Sequence, residues 1–256
     1  MADESQSSPE SSVTGWRLLA TRDFGCLWAG QVVSQIGDGL NKVALLWFVY
    51  EMTGSALKMT VIGLLQTIPP LLFGPLIGVY LDYLPKKTVM IVVDLLRTLM
   101  VLLIPLFYTF DMLTLERLYV LVFLISIVST VFGPALGSAV PLIVQRSQLT
   151  TANAFLQSTT NIGVLLGPAM SGLGIALIGA QNVLYVDAAT FFVSALFLFP
   201  IRVRETKSVK GLDVLGTPVM HDMMVGFRFV FLQHRVVFSL MITAVLYNLA
   251  ISAFVF

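Results

Sequence analysis

Long apolar segments alternate with short polar segments along most of the chain, beginning at Phe24. Seven of the apolar segments reach about the 20 residues that an α-helix needs to cross the hydrocarbon core of a bilayer. Their predicted bounds are Phe24–Tyr50, Met59–Leu81, Thr88–Phe110, Leu118–Val140, Ala154–Ile178, Val183–Ile201 and Val236–Phe256. The pattern predicts an all-α, polytopic membrane protein.

The polar segments complete the predicted organisation. Residues 1–22 form a disordered cytoplasmic tail, because they are rich in Ser, Asp, Glu and Pro and lack the basic start of a signal peptide. Residues 23–201 hold six spans. Residues 202–235 form a cytoplasmic linker, in which Pro218–Leu232 has the spacing of an amphipathic helix that lies on the membrane surface or, as the alternative, binds a partner. Residues 236–256 form the seventh span.

Composition agrees with this prediction and excludes several classes of function. Apolar residues make up 57% of the chain and charged residues 11%, against roughly 45–50% and about 25% in soluble domains. So few charges cannot form the basic face that nucleic acid requires. Cys26 is the single cysteine and is expected to pack, and His221 and His234 lie in the linker without metal-ligand or acid–base spacing. We therefore expect no enzyme, metal or bound cofactor.

The joint between the second and third spans indicates the orientation in the membrane. It contains Lys86 and Lys87, and short loops rich in Lys and Arg are retained on the cytoplasmic side. With the amino terminus inside, the inner segments hold eleven basic residues and the outer segments two, Lys58 and Arg117. The inner residues are Arg17, Arg22, Lys86, Lys87, Arg146, Arg202, Arg204, Lys207, Lys210, Arg228 and Arg235. We expect a multi-pass protein of the cell membrane with a cytoplasmic amino terminus.

The first span carries a stripe of polar residues at three- and four-residue steps: Gln31, Gln35, Asp38, Asn41 and Lys42. A rise of about 1.5 Å per residue places Asp38 roughly 21 Å along the span, inside a hydrocarbon layer about 30 Å thick. A lone charge there costs at least a few kcal/mol. Two interpretations stay open: Asp38 accepts a proton beside a substrate cavity, or Asp38 and Lys42 neutralise each other in a structural pair.

Two further groups of residues stand out. Asp94 and Arg97 are three residues apart and can pair on one helical face, and Arg97 could also reach Asp82 across the tight joint. Such a cluster either satisfies charges near the headgroups or acts as a latch that breaks when helices rock. In the fifth span, small residues four apart allow close helix packing and a proline permits a bend, at Gly163, Gly167, Pro168 and Gly172.

These motifs resemble those of the major facilitator superfamily. The joint resembles the loop signature G-x-L-A-D-R-x-G-R-K at Gly78, Asp82, Lys86 and Lys87, and differs from it at Tyr83 and Pro85. The fifth span resembles the antiporter signature G-x-x-x-G-P-x-x-G-G at Gly163, Gly167, Pro168 and Gly172, with Ser171 in place of one glycine. Further stretches are similar to the enterobactin-exporter and macrolide-efflux branch.

The resemblance implies a six-helix bundle of two three-helix repeats, followed by the linker and by the first span of a missing carboxy-terminal bundle. It also implies proton-coupled export of small amphipathic molecules, such as drugs or siderophores, by alternating access, with Asp82 contacting the facing half in one state. Asp38 is the proton-coupling candidate, because the arginine usual in the fourth span is absent here. Candidate cavity-lining residues are Gln31, Gln35, Asn41, Lys42, Gln157 and Asn161. A non-transporting fragment, or a half-transporter that needs a partner half, is the alternative.

Overall fold

The computed structural model describes residues 15–81 and 84–203, together with Ser239 and Thr243. The chain divides into two units, Met1–Ser208 and Val209–Phe256. Asp82, the amphipathic linker helix and the rest of the seventh span lie outside the described residues. In the second unit Ser239 and Thr243 are both helical, and the Thr243 hydroxyl donates a hydrogen bond to the Ser239 carbonyl.

The described part of the first unit is helical and contains no strand, which confirms the predicted all-α class. Its helices are α1 (Gly15–Leu19), α2 (Arg22–Thr53), α3 (Ala56–Leu81), α4 (Lys86–Thr109), α5 (Leu115–Ile143), α6 (Leu149–Ile178) and α7 (Ala180–Leu198), with a 3₁₀ turn at Arg146–Gln148 before α6. Helices α2 to α7 coincide with the six predicted spans to within several residues at each end.

Short connections with specific end residues make these helices antiparallel neighbours. Gly54 ends α2 with φ of 61°, and its N–H donates to the Tyr50 carbonyl. Gly179 separates α6 from α7 with φ of 81°. A side chain at either φ would be strained, so glycine is the residue that allows each reversal. Thr114 begins α5 by accepting a hydrogen bond from the Arg117 N–H.

Among the described residues, five helices, α3 to α7, are long and apolar enough to cross a membrane. Helix α2 is the longest, at 32 residues, but its polar stripe leaves it less apolar than the other five. The outward faces carry large apolar side chains such as Leu71, Leu165 and Leu177, which lipid can solvate. The chain is therefore a multi-pass membrane protein.

The helix contacts follow a two-fold pattern. Helix α2 packs on α7 and α6, α5 packs on α4 and α3, and α4 also packs on α7. If α2 is exchanged with α5, α3 with α6 and α4 with α7, then each of these contacts maps onto another contact or onto itself. This is the pattern expected of two related three-helix repeats, so the predicted six-helix bundle is confirmed.

Two apolar clusters fill the ends of the bundle. One contains Phe24, Leu27 and Met90 near the joint between α3 and α4, and the other contains Phe48 and Leu184 near the opposite end of the helices. The buried charged side chains come from positions midway along the helices, between these two clusters.

The predicted tail is wrong at its carboxy-terminal end. Residues 15–19 form α1, which buries Leu18, and the Trp16 ring packs edge-on against Phe155 with centroids 5.9 Å apart. A Cβ on Gly25 would lie 2.4 Å from the Leu19 carbonyl oxygen, so α1 and α2 meet closely at this glycine. Aromatic and apolar residues after the polar start therefore have a surface to pack on. Residues 1–14 lie outside the described residues.

Candidate functional site: a buried charge cluster

Arg97 of α4 lies at the centre of the bundle with only 7% of its side chain exposed. Its Nη2 lies 3.1 Å from Asp38 Oδ1 on α2, and its Nε donates to Ser129 Oγ on α5 at 2.7 Å. The guanidinium also stacks over Phe191, with Cζ 4.3 Å from the ring centroid. Asp38 is thus paired with Arg97 in this structure, whereas Lys42 is exposed and makes no ion pair with Asp38.

Asp94 is the second carboxyl group at this site, and it is fully buried. Its Oδ1 lies 3.8 Å from Arg97 Nη1, which confirms the predicted pair on one face of α4. Its Oδ2 accepts a hydrogen bond from the Ser194 hydroxyl on α7 at 2.7 Å. The predicted contact between Arg97 and Asp82 stays a prediction, because Asp82 lies outside the described residues.

Asp187 of α7 is a third carboxyl group, which the sequence analysis missed. It is fully buried, its Oδ2 accepts a hydrogen bond from the Asn41 amide on α2, and its Oδ1 has no hydrogen-bond partner. Gly37 makes this contact between α2 and α7 possible, since a Cβ there would lie 2.6 Å from Oδ1. An acidic residue within an apolar span is itself a signal of function, and it could have identified Asp187.

The three carboxyl groups and one guanidinium carry a formal charge of −2 when all are ionised. Several helices contribute them: α2 provides Asp38, α4 provides Asp94 and Arg97, and α7 provides Asp187. Excess charge in a buried setting is costly, so such a cluster is suited to hold and release protons. Asp38 is the most exposed member, with 29% of its side chain accessible.

The antiporter-type motif holds α6 against the polar helix. A Cβ on Gly167 would lie 2.7 Å from the Gly39 Cα, and a Cβ on Gly163 would lie 3.3 Å from Gln35 Oε1. The Ser171 hydroxyl donates to a backbone carbonyl of α2, that of Leu40, at 2.8 Å. The other two motif residues, Pro168 and Gly172, are exposed, and a Cβ on Gly172 would meet no atom within 4 Å.

The predicted cavity residues have separate surroundings. Asn41 belongs to the charge cluster through Asp187, while the buried Gln31 keeps its Oε1 without a hydrogen-bond partner. Gln157 and Asn161 are exposed on α6, and the Gln157 amide donates to Asn161 Oδ1 at 3.0 Å. Their role in a cavity stays a prediction, as do those of Gln35 and Lys42.

The lysines of the joint between α3 and α4 bind the ends of helices. Lys86 Nζ donates to the carbonyls of Leu84, at 2.9 Å, and Leu81. Lys87 Nζ donates to the Phe199 carbonyl at the end of α7, at 2.7 Å. Cations suit helix carboxyl ends because the last carbonyls there lack partners within the helix. A Cβ on Gly78 would meet no atom within 4 Å, and a gating role for this joint stays a prediction.

Paired three-helix repeats around buried charges are the architecture of a transporter half. The family described as transmembrane secretion effector matches residues 13–256. The chain belongs to this family, within the major facilitator superfamily, as its motifs predict.

Curated relatives of the chain include efflux proteins. It is 29% identical over 235 residues to macrolide efflux protein A of Streptococcus pyogenes, a match that covers 91% of the chain and 56% of the relative. It is 30% identical over 212 residues to multidrug efflux pump Tap of Mycolicibacterium fortuitum, covering 81% of the chain and 50% of the relative. The chain thus spans about half the length of the curated relatives it matches.

Proposed function

We propose that the protein acts in proton-coupled export of small amphipathic molecules across the cell membrane by alternating access. The observation that carries this proposal is the buried contact of Arg97 with Asp38 and Asp94. Buried charges within membrane spans are costly, and they are found at ion pathways and proton relays. The matches to efflux proteins and to a secretion family favour export over uptake.

The ion pair gives a physical route from proton binding to helix movement. A proton on Asp38 would remove the negative charge that Arg97 contacts, while Arg97 would keep Asp94 and Ser129 as partners. The attraction between α2 and α4 would therefore depend on whether the proton is bound. Substrate that favours one helix arrangement would change proton affinity by the same factor, as linkage requires.

The substrate class follows from the polar groups on otherwise apolar helices. Gln35, Gln157 and Asn161 offer amide donors and acceptors, whereas apolar walls discriminate only weakly between similar molecules. Drugs and siderophores have the mixed polarity that such a surface accepts. Because the relatives are nearly twice as long as the aligned region, we expect the substrate path to include a second six-helix half as partner or continuation.

The distribution of basic residues supports a cytoplasmic amino terminus, with Lys86 and Lys87 at the inner surface. In this proposal, α3 to α7 lie within the lipid bilayer. Energy for export would come from the proton gradient, so the proposed mechanism requires no bound cofactor.

Accumulation of a fluorescent amphipathic dye tests the proposal in cells that express the protein from its own gene. We expect active export that a protonophore abolishes and that Asp38→Asn removes. Asp111→Asn is the matched control, since Asp111 is exposed in the turn after α4 and its φ of 54° suits asparagine. An Asp38→Asn protein that exports against a gradient with unchanged pH dependence would contradict the role of Asp38. A half-transporter would export only with its partner half present.

A further inference from the structure

Asp187 is the carboxyl group of the buried charge cluster that does not form an ion pair with Arg97. The ion pairs of Arg97 join it to Asp38 and Asp94, and its Nε donates to Ser129. Among the described residues, no cation lies within ion-pair distance of Asp187. Its one hydrogen-bond donor is the Asn41 amide, and Oδ1 has none. Asp187 therefore differs from the other two carboxyl groups, each of which contacts the guanidinium.

The helices packed on α7 offer Asp187 few charges. Helix α2 presents Asp38, helix α4 presents Asp94 and Arg97, and helix α6 contains no titratable residue. The one other titratable side chain of α7, Tyr185, lies near Thr109 instead.

We infer that Asp187 is a second proton-binding residue, which holds a proton in the state where Asp38 is ionised and paired with Arg97. This inference rests on the proposed function and adds to it. When the proton leaves, the O–H bond at Asp187 breaks and a carboxylate forms. The same proton, or another from water, can then form an O–H bond at Asp38, which ends the ion pair with Arg97.

The close contact at Gly37 couples this proton to the packing of α2 on α7. A carboxylate at Asp187 needs further hydrogen-bond donors, because a buried charge with a single donor is costly. Oδ1 faces Gly37 so closely that even a Cβ would lie 2.6 Å away. On the side facing Gly37, a further donor or a water molecule fits beside Oδ1 only if α2 and α7 separate. Loss of the proton would therefore favour an arrangement of these helices that differs from the one described.

Infrared spectroscopy of the purified protein in lipid nanodiscs tests the inference, because a protonated carboxyl group has a carbonyl stretch that a carboxylate lacks. We expect Asp187→Asn to lose the intensity of one protonated carboxyl group at neutral pH. Asparagine keeps the shape of the side chain and an acceptor for Asn41. The exposed control, Asp111→Asn, keeps the full intensity, and Asp38→Asn also keeps it.

Two results would overturn the inference. One is a spectrum of Asp187→Asn that matches the parent protein, and the other is loss of the band in Asp38→Asn. The second measurement can still overturn the inference if Asp187→Asn fails to fold. The dye assay distinguishes failure of the proposed function from failure of the role of Asp187. Export that a protonophore does not reduce refutes the proposed function. Proton-driven export together with an unchanged Asp187→Asn spectrum refutes only the role of Asp187.

Discussion

The contact between α2 and α6 at Gly39 and Gly167 offers a sharp test of the described packing. In Gly167→Ala the added Cβ would lie 2.7 Å from the Gly39 Cα and 3.2 Å from its carbonyl carbon. Both are backbone atoms, so no side chain can rotate away and the helices must move apart. Gly172→Ala makes the same chemical change five residues further along α6, where a Cβ would meet nothing within 4 Å.

The two substitutions are expected to change the free energy of unfolding in opposite directions. Replacing a helical glycine with alanine contributes roughly 0.5–1 kcal/mol of stability where space is open. Overpacking at a tight contact costs typically 1–3 kcal/mol. Gly172→Ala should therefore raise the free energy of unfolding slightly. Gly167→Ala should lower it by about 0–2.5 kcal/mol, once the alanine gain is subtracted.

Unfolding of the purified protein in detergent micelles, followed by far-ultraviolet circular dichroism, measures the difference between the two variants. Export by the same variants in the dye assay shows whether the contact also matters for transport. We expect Gly167→Ala to be the less stable of the two and to export less. Equal stability of the two variants, or a less stable Gly172→Ala, would refute the close approach of α2 and α6 at this motif.

The remaining predictions concern the central cation and the orientation. Arg97→Gln should lower the free energy of unfolding by about 3–5 kcal/mol, because it leaves buried carboxyl groups without their counter-ion. The control Arg146→Gln, at an exposed position, should change this free energy little in the same unfolding assay. Similar losses in the two variants would contradict the buried charge cluster. For orientation, a cysteine at Glu116 should react with a membrane-impermeant thiol reagent outside intact cells, and a cysteine at Ser147 should not, in a background without the native cysteine. The reverse labelling would refute a cytoplasmic amino terminus.

Most of the helical architecture could be predicted because its signals are local. Apolar segments long enough to cross a bilayer located α2 to α7, and the motif at Gly163 and Gly167 identified a tight helix contact. The prediction was wrong at residues 15–19, where apolar side chains after a polar start fold onto α2 and α6. The sequence patterns did not identify Asp187, because a single acid within an apolar span forms neither a polar stripe nor a motif.

The sequence by itself determined the class of protein, the number of helices in the described bundle and the presence of charges within spans. These properties depend on segment length and composition, because backbone hydrogen bonds in lipid are satisfied within each helix. Only the tertiary structure decided the partners of those charges: Arg97 for Asp38, Ser194 for Asp94 and Asn41 for Asp187. These partners are separated by 59, 100 and 146 residues, so each pair depends on which helices pack together and at what height they meet.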